Sequence, residues 1–584
     1  MKIFQGIPVS PGVVIGKAFV QEAEGFRIPE QFIDAGALEA EIRRFRIAVD
    51  LAKDEIAVNR EATRNALGQS FADIFEAQIQ LLLDPRILND IEELIRSQRF
   101  SAEHAVTVVM GKHTNTLRKI ENAYISEKIN DLRDIEKRLL RHLLGEKKET
   151  IGMLRSPVIL LATNLTPSET ASLDKQFVRA IVTELGGQGG HTAILAAALE
   201  IPCIVGVRRF LGDVDGGDTL IVDGNSGSVV VRPNEEILAK YRLIMAADTT
   251  RIESLDSFRD VKAATRDGTR ISICANIEFP FEAEKAVQRG AEGIGLFRTE
   301  FLYLTRKEDP TEDEHFSAYK HVVDQMAGKP VIIRTFDFGD DKTLDRYSTT
   351  IEHNPALGLR GIRLALKNWK LFRCQLRAIL RVSAFGDVRI MFPLVSTVKE
   401  FRQAKRTALR DAMEELREEK IAFNEEIPVG MMVEVPSAVV MLDKFAEDAS
   451  FFSIGTNDLT QYTMAVDRGN SSVNHLFQTD DPAILRLIRR TVDVANRYSI
   501  PVSLCGQMGK PQNIVILLGL GLRDVSCAPG SIARLKQICR YVSIEECCAM
   551  ARKALRISNA KDIRDYVHNK LKQIAPELFD STEL

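Results

Sequence analysis

The sequence predicts a multidomain α/β protein: a compact α/β unit interrupted by a helical bundle, followed by a (β/α)8 barrel of the TIM type. Three observations predict it. The 584 residues exceed a single hydrophobic core and, at ordinary domain sizes, make about three or four units. From about Ala35 to Leu144 apolar residues recur at helical spacing, with strand and turn patterns on either side. Beyond residue 264, strand-like runs and helical stretches alternate about eight times over roughly 300 residues, which is the rhythm of a barrel.

Composition narrows the partners. Lys and Arg number 78 against 81 Asp and Glu. This near balance, with no long basic run, argues against nucleic acid or an anionic membrane and leaves a small molecule or another protein. Met1-Lys2-Ile3-Phe4-Gln5-Gly6 lacks a signal-peptide core, and the long apolar runs are broken by glycine or charge, so a cytoplasmic protein is expected. Eight cysteines occur without CxxC pairs or zinc-spaced histidines, and Cys547 adjoins Cys548. Neither a disulfide framework nor a structural zinc site is indicated.

In chain order, residues 1–22 read as a short strand pair turning at Ser10-Pro11-Gly12. Residues 23–145 form the helical insertion, with periodic stretches Leu38–Ala52, Phe71–Leu83, Ile87–Ile95, Ala102–Thr116 and Ile125–Leu144 and breaks near Gly68, Asp84-Pro85 and Ser101. The α/β unit resumes over 146–232: Val158–Ala162, Ala180–Thr183, Pro202–Gly206 and Thr219–Gly224 are strand-like, and Pro167 with Glu169 marks a helix start. Residues 233–263 are a polar linker helix without a core of its own. In 264–584 the strand-like runs are Arg270–Glu278, Gly293–Phe301, Pro330–Gly339, Asp387–Val395, Ile427–Val435, Phe451–Asp458, Ile500–Gly506 and Leu520–Ala528.

Two constellations carry chemistry. Gly186-Gly187-Gln188-Gly189-Gly190 runs into the apolar helical stretch His191-Thr192-Ala193-Ile194-Leu195, placing a histidine where loop becomes helix. Free N–H groups and the helix dipole there favour an anion and disfavour an imidazolium, so the ring keeps a nucleophilic nitrogen suited to covalent phosphoryl transfer. In the barrel, polar residues close the strand-like runs: Arg298 and Glu300, Arg334 and Asp337, Glu434, Asn457 and Asp458, and Cys505, with Arg468 in the sixth loop. Any one of these arginines could serve a structural salt bridge. The set, gathered at the catalytic face of a barrel, reads as forked donors for phosphate or carboxylate, with Glu434 and Asp458 as hard oxygen ligands for Mg²⁺. A neutral Cys505 thiol at that rim can donate a proton.

These residues, together with Ser10-Pro11-Gly12, Leu165-Thr166-Pro167-Ser168-Glu169-Thr170, Gly295-Leu296-Phe297-Arg298-Thr299-Glu300, Met432-Val433-Glu434-Val435-Pro436, Gly455-Thr456-Asn457-Asp458-Leu459-Thr460-Gln461-Tyr462 and Asp467-Arg468-Gly469-Asn470, resemble the Enzyme I family of the bacterial phosphoenolpyruvate:sugar phosphotransferase system over nearly the whole chain. The resemblance implies that phosphoenolpyruvate (PEP) binds the barrel with Mg²⁺ on Glu434 and Asp458 and its phosphate on Arg298, Arg334, Asn457 and Arg468. It implies that His191 takes the phosphoryl group, that Thr170 hydrogen-bonds the imidazole and that Cys505 protonates the enolate to release pyruvate. It further implies delivery to a histidine of the carrier HPr docked on residues 23–145, swivelling of the α/β unit, and a homodimer formed through the barrel.

The chain departs from the family pattern at Gln188-Gly189-Gly190, where Arg-Thr-Ser is usual, at Ala197, at Asp340, at Gln507, where glutamate is usual, and at Gly509-Lys510. These departures motivate a second reading, a catalytically weakened or nitrogen-branch regulatory paralogue. A dikinase or synthase that uses ATP would need a further nucleotide-binding segment, which the sequence does not show.

Overall fold

The computed structural model describes residues 1–21, 31–67, 69–118, 123–144, 154, 156–165, 169, 173–187, 191–304, 308–338, 354–468, 470 and 472–576. The chain divides into two compact units, Met1–Ala246 and Ala247–Leu584.

The first unit contains an eight-stranded sheet of order β1-β8-β7-β3-β4-β5-β6-β2. Its strands are β1 (Lys2–Gln5), β2 (Ile7–Ser10), β3 (Val13–Gln21), β4 (Val158–Ala162), β5 (Val178–Thr183), β6 (Cys203–Val205), β7 (Thr219–Asp223) and β8 (Ser228–Val231). Every residue of β4 is buried. Because side chains alternate across a strand, Ile159 and Leu161 enter one core with Val182, Ile204 and Val222, while Val158, Leu160 and Ala162 enter another with Ile181, Ala196 and Val205. The N-terminal strands are not paired with each other as expected. Instead β2 pairs antiparallel with β6, and β3 lies antiparallel to β7 and parallel to β4. Ser10-Pro11-Gly12 is thus a crossover rather than a hairpin, each strand taking its ladder partners from distant segments.

Between β3 and β4 the described residues form five α-helices, α1 (Leu38–Leu67), α2 (Gln69–Leu82), α3 (Pro85–Gln98), α4 (Ala102–Arg118) and α5 (Ala123–Leu144). They share a core that includes Ile42, Phe45, Ile56, Phe75, Ile91, Val106, Ile135 and Leu139. Helix α1 runs well past the expected Ala52. At α3, Asp84 caps the Arg86 N–H and Pro85 occupies the first turn, where its missing N–H costs nothing. A long helix, Glu235–Asp256, occupies the expected linker.

The second unit is a closed barrel of eight parallel strands: β9 (Ser272–Ile277), β10 (Ile294–Phe297), β11 (Val331–Arg334), β12 (Val388–Phe392), β13 (Val429–Val433), β14 (Phe452–Gly455), β15 (Val502–Cys505) and β16 (Asp524–Cys527). Each lies inside one of the eight runs expected from sequence, and β16 closes on β9 with Asp524 opposite Ser272. The surrounding helices are amphipathic. Glu312–Met326 opens on a capping box between Thr311 and Glu314 and buries His315, Tyr319, Val322, Val323 and Met326, a single face at helical spacing. No helix among the described residues is long and apolar enough to cross a membrane.

Candidate active site

The barrel positions the polar residues by strand termination. Arg334 is the last residue of β11, Cys505 the last of β15, and Arg298 and Glu434 directly follow β10 and β13. Strand β14 passes at Gly455 straight into the helix Thr456–Met464, so Asn457 and Asp458 fall in that helix's first turn. All these positions share the face of the barrel at which parallel strands end.

Three carboxylates meet there: oxygen atoms of Asp337, Glu434 and Asp458 all lie within 4.8 Å of one another. Glu434 is 1% exposed, and its Oε1 accepts the Leu394 N–H at 2.6 Å. Leu394 takes a left-handed backbone (φ 52°) that a leucine adopts only under constraint. Burial first, then the charges of Asp458 and Asp337, push the Glu434 carboxyl up to about 8. The neighbouring Gly455 is required by space, because a Cβ there would stand 2.7 Å from Glu434 Oε2. At Asp337 burial opposes the charge, and the guanidinium groups of Arg360 and Arg334 outweigh it, holding the carboxyl below its ordinary range.

The cations interleave with these acids. Arg334 Nη2 donates to Glu300 Oε1 at 2.8 Å, and its Nη1 stands 3.2 Å from Asp337 Oδ2. Arg334 Nε is buried without a hydrogen-bond partner among the described residues. Arg360 Nε and Nη2 fork onto Asp337 at 3.2 and 2.8 Å, and Nη2 also reaches Asp458 Oδ2 at 3.4 Å. Arg298 donates to Glu278, and Arg468 Nη1 stands 3.5 Å from Asp458 Oδ1. Cys505 is buried, 3.4 Å from Ser453 Oγ and 3.6 Å from the Ile454 carbonyl, and burial pushes its thiol up, keeping the proton on sulfur.

The donor set fits a divalent cation. Hard oxygens converge, Glu434 is held in place by a backbone N–H, and Asp458 Oδ1 is a buried acceptor with no hydrogen-bond partner among the described residues.

The structure thus gathers Arg298, Arg334, Glu434, Asp458, Arg468 and Cys505, as the sequence predicts, with Asn457 in the same first turn as Asp458. It adds Arg360, which sequence reasoning missed. That arginine follows a long connection after β11 instead of closing a strand; its one sequence signal is its place immediately before the helix Gly361–Lys367. Asp337 joins the acidic cluster, beyond its expected standing as a strand-end charge. In the first unit the backbone of His191 opens the helix His191–Leu199, as expected. The His191 and Gln507 side chains, Thr170, Gln188-Gly189-Gly190 and Asp340 lie outside the described residues.

Three family models match in series: "PEP-utilising enzyme, N-terminal" over residues 5–128, "PEP-utilising enzyme, mobile domain" over 154–227 and "PEP-utilising enzyme, PEP-binding domain" over 253–544. The fold and its rim therefore define a PEP-utilising enzyme. Phosphoenolpyruvate-protein phosphotransferases from Bacillus sp. (strain S) and Geobacillus stearothermophilus are 42% and 41% identical, each over 97% of this chain and 98% of the relative. A solved structure titled "NMR solution structure of Enzyme I (nEIt) protein using two 4D-spectra" is 34% identical over 42% of this chain and 99% of its own, with a TM-score of 0.37, too loose to bear on the fold. The chain belongs to the phosphoenolpyruvate-protein phosphotransferase family.

Proposed function

We propose that this chain transfers the phosphoryl group of PEP to His191 and from there to a histidine of an HPr-type carrier protein, releasing pyruvate, as the first step of sugar uptake by a phosphotransferase system. The observation that carries the proposal is the barrel mouth, where the clustered carboxylates Asp337, Glu434 and Asp458 are paired with Arg334, Arg360 and Arg468, and Arg298 stands at the neighbouring strand end.

Arg298, Arg334, Asn457 and Arg468 bind the phosphate. Forked guanidinium groups match its oxygens, and negative charge shifts toward the bridging oxygen as the P–O bond to it lengthens, so cations at this mouth stabilise the transition state more than the ground state. Glu434 and Asp458 would hold Mg²⁺, which when bound neutralises oxygens of the substrate. A ring nitrogen of His191, with Thr170 as imidazole partner, attacks phosphorus; the bond to the enol oxygen breaks, and Cys505 gives its proton to the methylene carbon of the enolate. The thiolate then recovers a proton from water. Forming pyruvate from the enol draws the transfer forward.

In this reading residues 1–22 and 146–232 are a swivelling phosphohistidine domain, 23–145 the carrier-binding insertion, 233–263 a linker, and 264–584 the PEP-binding and dimerisation domain of a cytoplasmic homodimer.

The test uses radiolabelled PEP with Mg²⁺. Acid-labile label that a His191→Ala variant fails to acquire, and that passes to added carrier, is the expected result. Labelling that requires ATP instead points to a dikinase. Absence of label under both conditions sinks the transferase.

A further inference from the structure

Arg298 directly follows β10 and Arg334 closes β11, so the strand ladder holds their backbones. The segments that leave it, Thr299–Glu300 and Thr335–Asp337, carry the acids paired with Arg334, and something outside the ladder must fix them. We propose that Gln375 is the positioning residue that does so, resting on the function proposed above.

Gln375 lies on the helix Trp369–Val382, outside the barrel, among the buried Leu371, Phe372, Leu376 and Ile379. It is 0% exposed. A buried amide costs several kcal/mol unless each of its polar atoms is bonded, and a leucine or methionine would fill the same space without that demand. Here the amide is fully used. Nε2 donates to Thr299 Oγ1 at 2.9 Å and to Tyr319 OH at 2.9 Å, and Oε1 accepts the Phe336 N–H at 3.0 Å. Thr299 Oγ1 passes its own hydrogen to the Arg334 carbonyl at 3.0 Å.

The consequence is geometric. Residue 299 sits between Arg298 and Glu300, and residue 336 between Arg334 and Asp337, so one planar side chain ties the two segments, at the end of β10 and of β11, that carry these four groups. The anchor is itself braced. Tyr319 OH meets His315 Nδ1 at 2.8 Å, and His315 Nε2 meets Tyr303 OH at 3.1 Å. Tyr303 belongs to the helical turn Phe301–Leu304 that follows Glu300, so the hydrogen-bonded circuit returns to the segment where it began. Thr299, Tyr303, His315, Tyr319 and Gln375 are all at most 1% exposed. None of them is placed to touch substrate; they act through the arginines.

The test compares Gln375→Met, Thr299→Val and the hydroxyl-conserving Thr299→Ser with the unsubstituted full-length protein. PEP affinity is read by calorimetric titration, the KM and kcat of pyruvate release by steady-state assay, and fold integrity by the melting temperature. Gln375→Met and Thr299→Val are expected to raise the Kd and KM for PEP about tenfold, the size of effect that a misplaced binding group produces. Thr299→Ser should restore values near those of the unsubstituted protein, and hand-off from a pre-phosphorylated chain to the carrier should stay unchanged in every variant. If Gln375→Met fails to fold, the two Thr299 variants decide. Unaltered PEP affinity in the variants, even with a lowered melting temperature, would reduce Gln375 to a structural role and overturn the proposal. A parent protein that binds PEP yet never labels His191 would overturn the proposed function instead, and the Kd comparison would still judge Gln375.

Discussion

Asp458 Oδ1 faces Arg468 Nη1 across 3.5 Å, an ion-pair distance without a hydrogen bond, and it is buried with no hydrogen-bond partner among the described residues. A buried carboxylate oxygen in that condition is costly until a cation or ligand completes it.

Asp458→Asn keeps the shape of this side chain and removes its charge. It should lower Mg²⁺-dependent turnover of PEP by about 10²–10³-fold, the range seen when one charge-stabilising group is lost. Steady-state kinetics across a Mg²⁺ series would show the loss, and saturating metal would not recover it.

Arg360 is 4% exposed and serves Asp337 and Asp458 together. Arg360→Met would leave those acids and Glu434 short of one compensating charge, at a cost of about 3–5 kcal/mol for breaking buried pairs. Arg360→Lys retains the charge without the fork and should recover stability only in part while leaving PEP turnover impaired. Urea unfolding of the full chain, followed beside the turnover assay, separates the two effects.

Gly361 adopts a left-handed backbone (φ +54°), and a Cβ there would lie 2.8 Å from Leu394 Cβ and 3.0 Å from Asp337 Oδ1. Asp337 belongs to the acidic cluster, and the Leu394 N–H holds Glu434 in it. Gly361→Ala should therefore cost about 1–3 kcal/mol from backbone strain and crowding and weaken Mg²⁺ binding as well. Calorimetric titration of Mg²⁺ and a melting curve check the two parts; an unchanged metal affinity would show that Asp337 tolerates displacement.

Glu282 accepts the backbone N–H groups of Glu278 and Phe279, each at 2.7 Å, from a buried position, and burial pushes its carboxyl up to about 7. The folded state therefore holds this proton more tightly than the unfolded chain does. Its stabilising effect is complete below the ordinary glutamate range near 4.5 and is lost as pH rises through about 7. Glu282→Gln removes that titration. The difference in melting temperature between variant and parent should change between pH 5 and pH 8 in the variant's favour, and a pH-independent difference would count against the shift.

The barrel was readable because its strands are short and apolar and alternate with helical stretches, and five of the eight runs are closed by a polar or thiol-bearing residue that the rim uses. Arg298, Arg334, Glu434 and Asp458 were found by their places at or just after strand ends, and Arg468 by its place in the loop that follows the sixth. Arg360 and Gln375 had no such marker. One follows a long connection and the other sits on a helix face that reads as ordinary core, so their roles come from what lies opposite them.

The local sequence by itself determined the element order, the eight strand-helix repeats and the positions offered to the barrel mouth, because spacing and turn chemistry act over a few residues. Only the tertiary structure decided that β2 pairs with β6 and not β3, that Asp337 completes the acidic cluster and that a glutamine behind the barrel ties Thr299 to Phe336 where β10 and β11 end. These contacts join residues far apart in the chain. Their energies arise from burial and hydrogen-bond geometry that exist only once the fold has closed.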